Sequence, residues 1–107
     1  MIEQKVLALC MKAHFWNKAK NILEPTMFPK EWMQVVHSLF YAQKHYGGDI
    51  TIDELLSVHR DLNPALPEST KESTESLIHS LADVDLPNQD IAFDVIKNFW
   101  RRDKAKA

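Results

Sequence analysis

The chain has 107 residues, 45% of them hydrophobic, and 13 Lys/Arg against 15 Asp/Glu give a formal net charge of −2. That length fits one domain, and that apolar share fills a modest core. One cysteine excludes an internal disulfide, no apolar run approaches the roughly 18 residues that span a bilayer, and the N-terminal MIEQKV lacks the basic segment and apolar core of a signal peptide.

Apolar residues recur at helical spacing, strand-like alternation is absent and glycine is scarce, so the expected fold class is all-α. The expected architecture is a bundle of about five short helices over residues 1–87, followed by one further helix over 88–107. Ile2, Val6, Leu9, Cys10 and Ala13 form one face of a first helix, in which Cys10 reads as a small buried thiol. Phe15, Trp16, Ala19, Ile22 and Leu23 repeat the pattern in a second helix, which Pro25 ends because proline disfavours helix in the residue before it. A third starts near Pro29 and carries Trp32, Val35, Val36, Leu39, Phe40 and Gln43 inward. Gly47 and Gly48 stop it, because glycine tolerates the left-handed backbone that follows many helix ends. Thr51 and Glu54 have the spacing of a capping box for a fourth helix with Ile52, Leu55, Leu56 and His59 on its apolar side. NPALPEST at 63–70 is a loop by composition. Ser69 with Glu72, or Ser73 a turn later, then caps a fifth helix holding Leu77, Ile78 and Leu81. After DVDLPN, Asn88 with Asp90 caps a sixth helix that turns Ile91, Val95, Ile96 and Phe99 inward.

The stretch KHYGGDITIDELL at 44–56 contains both glycines and alternating acids, which invites a ligand-loop reading. A calcium loop counted from Asp49 places Glu54 where the turn glycine belongs and Arg60 where a bidentate acid belongs. A phosphate-binding loop needs glycines five apart and a following lysine, which the chain lacks. The five histidines, His14, His37, His45, His59 and His79, have no HExxH or CxxC context, so no metal ligand is assigned. Nor is any catalytic or cofactor-binding residue, since no nucleophile elbow is present.

Charge is unevenly spread. Residues 1–48 hold six Lys/Arg against three acids (+3), residues 49–94 two against eleven (−9), and residues 95–107 five against one (+4). The acidic middle argues against that part lying on a nucleic-acid backbone, and a helix-turn-helix regulator is disfavoured because its recognition helix would carry Asp53, Glu54 and Asp61 against Arg60. In the basic end, Phe99 and Trp100 are adjacent and fall on different helical faces, so one monomer does not readily bury both. Phe99, Trp100, Arg101 and Arg102 are therefore the candidate protein interface, aromatic and arginine anchors being enriched in interfaces, with nucleic acid the lesser option.

Taken in order, Glu3, Gln4, Val6 and Leu7, then Phe15 and Trp16, then Met27 and Phe28 ahead of His37, Leu39 and Phe40, then the passage Gly48 to Leu55, and finally Leu77 to Ala82 and Asp90 to Arg102, resemble the N-terminal domain of DnaB-type replicative DNA helicases. With the pattern starting at Met1, the chain is most similar to the helicases of T-even-type bacteriophages. The resemblance covers nearly the whole chain and rests on apolar positions, not on a catalytic signature. It implies a helical head and the first arm of a helical hairpin, ahead of an ATPase motor that these residues do not contain. It also implies ring assembly with copies of itself, docking of primase and a helicase loader, weak or indirect DNA contact, no membrane, no cofactor and no enzymatic activity of the chain itself, in the cytoplasm of a host cell. A helical adaptor of the same fold, such as the helicase-binding domain of a primase or a phage mimic of it, is the alternative.

Overall fold

The computed structural model describes the backbone of residues 2–85 and 88–106 and the side chains of residues 4–85 and 88–98. Those residues form an all-α bundle without strands: α1 (Ile2–Cys10), α2 (Ala13–Ala19), α3 (Met33–His45), α4 (Ile52–Leu62), α5 (Glu68–Ser80) and α6 (Gln89–Lys106). Short 3₁₀ turns fill in at Pro25–Met27, Lys30–Trp32 and Leu81–Asp83.

The first helix is more deeply enclosed than a one-faced pattern implies. Val6, Leu7, Ala8, Leu9 and Cys10 are all buried, so α1 is covered on every side over its second half, as expected of a helix that is apolar all round. It packs against α2, α6 and the turn at Leu81–Asp83. The side chain of Ile2, expected on the same stripe, lies outside the described residues. Ala13 does not belong to α1; the chain breaks at Met11–Lys12 and Ala13 opens α2.

That break is held by residues far away in sequence. The Gln43 Nε2 donates to the Cys10 carbonyl at 2.8 Å, and the Ile50 N–H donates to the Met11 carbonyl at 2.7 Å. The Ala13 N–H, a free donor at the start of α2, donates to the Asp49 carboxylate at 2.9 Å. Helix-end groups need such partners, and here the corner after α3 supplies them.

The second helix is also shorter than expected. It ends at Ala19, and residues 20–22 continue as turns whose Ile22 and Leu23 N–H groups return to the Ala19 carbonyl. Leu23 still reaches the core, at 6% exposure, without being helical. In α3 the side chains of Val35, Val36, Leu39, Phe40 and Gln43 point inward with Trp32 before them, matching the expected stripe. Trp16 and Phe40 meet with ring centroids 4.9 Å apart, and Phe28 lies edge-on to Phe40 at 6.3 Å.

Two expectations for the later helices are corrected. The fifth helix begins at Glu68, with Pro67 before it and no side-chain cap, so Ser69, Glu72 and Ser73 all lie inside it. The Ser73 hydroxyl donates to the Ser69 carbonyl instead of capping the helix. In α6 it is Ala92 and Ile96 that enter the core, with Phe93 half-buried against it, whereas Ile91 and Val95 face out at 63% and 43% exposure. Of the expected set Ile96 is buried as anticipated, Ile91 and Val95 are not, and the side chain of Phe99 lies outside the described residues; α6 packs against α1 and α2. A small residue at position 92 permits that close approach. The start of α6 is fixed by Asn88, whose Oδ1 accepts from the N–H groups of Asp90 and Ile91 at 2.9 and 3.2 Å.

Candidate protein-interaction surface

The corner from Lys44 to Leu56 is structural. Gly47 and Gly48 have φ of +67° and +78°, the left-handed region that glycine alone occupies without strain. The Thr51 hydroxyl accepts from the Glu54 N–H at 3.2 Å while the Glu54 carboxylate accepts from the Thr51 N–H at 2.9 Å, a complete capping box at the start of α4. Those bonds favour the charged form and hold the Glu54 carboxyl below its ordinary range. Asp49, another acid of the corner, is taken up by the start of α2, and Asp53 is exposed in the first turn of α4.

The histidines are dispersed by role. His14, His37, His45 and His79 are exposed, while His59 is 1% exposed between α3 and α4. Its Nδ1 stands 3.4 Å from the Ser38 hydroxyl and 3.3 Å from the Asn63 amide nitrogen, and its Nε2 is buried without a partner. The Asn63 nitrogen also donates to the His59 carbonyl at 3.0 Å, which identifies it as the NH₂ end; Nδ1 therefore accepts, and Nε2 carries the proton of a neutral ring. Burial pushes the His59 pKa down, Glu75 opposes this, and Arg60 and Lys71 add to it. Ser38 is itself fully buried, so the Ser–His contact links two core helices and opens on no cleft. Burial likewise drives the Cys10 thiol far above its ordinary range. Among the described residues no group of three His, Cys, Asp or Glu is placed to hold a metal ion, and no helix is long and apolar enough to cross a membrane.

What remains is an outward apolar pair on α6. Ile91 and Val95 are one turn apart and so lie on the same face of the helix, bordered by exposed Asp94 and Asn98. An apolar centre with a polar rim is the pattern of a small interface patch. The Lys18 ammonium and the Asp90 carboxylate, 3.0 Å apart, form an exposed ion pair between α2 and the start of α6. The sequence continues the same four-residue spacing at Phe99. The side chains of Phe99, Trp100, Arg101 and Arg102, the interface expected from sequence, lie outside the described residues, although the helix that carries them is described. Ile91 and Val95 went unnoticed as surface residues because periodicity alone placed them inward. The adjacent Ala92, whose small size suits close helix packing, was the available signal for the other orientation. No family model, no curated protein and no solved structure matches the chain.

Proposed function

We propose that this chain is a protein-interaction domain without chemistry of its own, which works as the N-terminal assembly and primase-docking head of a hexameric replicative DNA helicase. The observation that carries the interaction role is the exposed Ile91–Val95 pair on α6, with Phe99, Trp100, Arg101 and Arg102 following in sequence. The resemblance to DnaB-type N-terminal domains supplies the helicase context, and the all-α fold is compatible with it. In this reading α6 is the first arm of a hairpin whose second arm completes the contact between copies. The 107-residue chain is then monomeric or weakly associating, and extension by the next hairpin arm tightens assembly.

Sedimentation of both lengths tests this. The expected result is assembly of the longer chain and its loss in the Ile91→Glu/Val95→Glu variant, with helical circular dichroism unchanged because both side chains are exposed. A stable hexamer of the 107-residue chain, or assembly indifferent to the two glutamates, sinks the reading. A primase pull-down with the assembled longer chain tests the docking role.

A further inference from the structure

A second surface, on α2 and α3, has a chemistry that the α6 contact does not use. Between these helices and the turn at Pro25 lies a hollow of about 310 Å³. Trp16, Leu23 and Phe40 supply its apolar lining, and every ionisable side chain other than Tyr41 that lines it is basic: Lys20, His37, Lys44 and His45. The Tyr41 and His45 rings stack at its edge with centroids 4.0 Å apart and planes 27° apart, which fixes that wall. Three other surface hollows each include a carboxylate, from Glu31 in one, Asp49 in the second, and Asp49, Glu54 and Asp61 in the third. Of these four hollows among the described residues, this one has a basic rim around an apolar floor, in a chain whose net charge is negative.

We propose that this groove docks an acidic peptide segment of a partner protein, one that places a large apolar side chain between flanking carboxylates. The volume is near the lower end of the roughly 300–1,000 Å³ of ligand pockets and suits a side-chain anchor. Lys20 and Lys44 are exposed, so their ammonium groups are free to meet carboxylates at the rim, where charge complementarity governs partner choice and encounter rate. Single-stranded nucleic acid is the poorer occupant. Trp16 and Phe40 are only 5% and 7% exposed, too little open ring for a base to stack on.

The test is fluorescence anisotropy of a labelled peptide carrying one Phe flanked by Asp and Glu on both sides, at low ionic strength. The intact chain is expected to bind it, and Lys20→Glu/Lys44→Glu to weaken binding by about tenfold or more. Replacing the peptide's Phe by Ala is expected to weaken it comparably. The Lys5→Glu/Lys30→Glu variant, which moves the same charge at exposed sites elsewhere, is expected to keep the intact affinity. Equal binding by the groove variant, equal weakening by the control variant, or tighter binding of a Lys-flanked peptide or an oligothymidylate overturns the proposal. The Ile91→Glu/Val95→Glu chain is expected to bind the acidic peptide unchanged, so a failure of α6 assembly and a failure of groove docking are separate results.

Discussion

At His59 the ring accepts from Asn63 through Nδ1 and keeps its Nε2 proton buried without a partner. Burial disfavours the charged ring and lowers its pKa, with Arg60 and Lys71 adding to the effect and Glu75 opposing it. The unfolded chain binds that proton below about pH 6.5 while the folded chain resists it, so this residue's contribution is complete above that value and is lost as pH falls through the lower folded pKa. Denaturant unfolding between pH 7 and pH 5 is expected to show falling stability in the native chain and a weaker slope in His59→Leu. An unchanged slope would refute the assignment. The carboxyl groups of Glu54 and Glu75, also lowered, act in a separate window below their ordinary range, near 4.5.

Among elements, the short α2 depends most on borrowed contacts. Seven residues are too few for a helix to persist by itself in water, and its N-terminus has no side-chain cap from Lys12. Asp49 caps it from the far side of α3, while Thr51 caps α4 locally. Asp49→Ala and Thr51→Ala are each expected to cost about 0.5–2 kcal/mol in chemical denaturation, the ordinary worth of a cap. They differ in locality. Loss at Asp49 should raise amide exchange at Ala13 to Trp16, and loss at Thr51 at Ile52 to Leu55; exchange confined to α4 in both would contradict the cross-chain cap. The Lys18–Asp90 pair, at 41% and 81% side-chain exposure, is held in high dielectric and contributes at most about 1 kcal/mol.

Over the whole molecule, one core runs from Val6 in α1 to Ile96 in α6. Core residues thus lie on both sides of residue 87, and the first turns of α6 pack against α1 and α2. Ile96→Ala is expected to cost about 2–4 kcal/mol and to lower a single unfolding transition as a unit, whereas Ile91→Ala stays within about 0.5 kcal/mol. Two separate transitions, or equal costs at the two isoleucines, would show that α6 is not part of the shared core. The molecule also keeps its charges apart: bases dominate residues 1–48, and acids dominate 49–94. That segregation gives the groove beside α3 its basic rim while the hollow beyond Gly47 is acidic.

Local rules were sufficient wherever a signal and its partner lie within a turn or two. The all-α class, the inward stripe of α3, the left-handed glycines and the Thr51–Glu54 box are all read from spacing, because backbone sterics and capping act over three or four residues. Which side of α6 is buried had only the small Ala92 as a sequence signal, since Ile91 and Ile96 are equally apolar and docking on α1 and α2 is what distinguishes them. The break at Met11–Lys12 was hidden for the same reason: its stabilising groups come from Gln43, Asp49 and Ile50, more than 30 residues away. The basic groove needed the fold as well, because Trp16, Lys20 and Lys44 become neighbours only when α2 lies against α3. Sequence by itself determined the helices and their caps, through interactions of short range; tertiary structure decided which faces they show, because burial is a property of the assembled bundle.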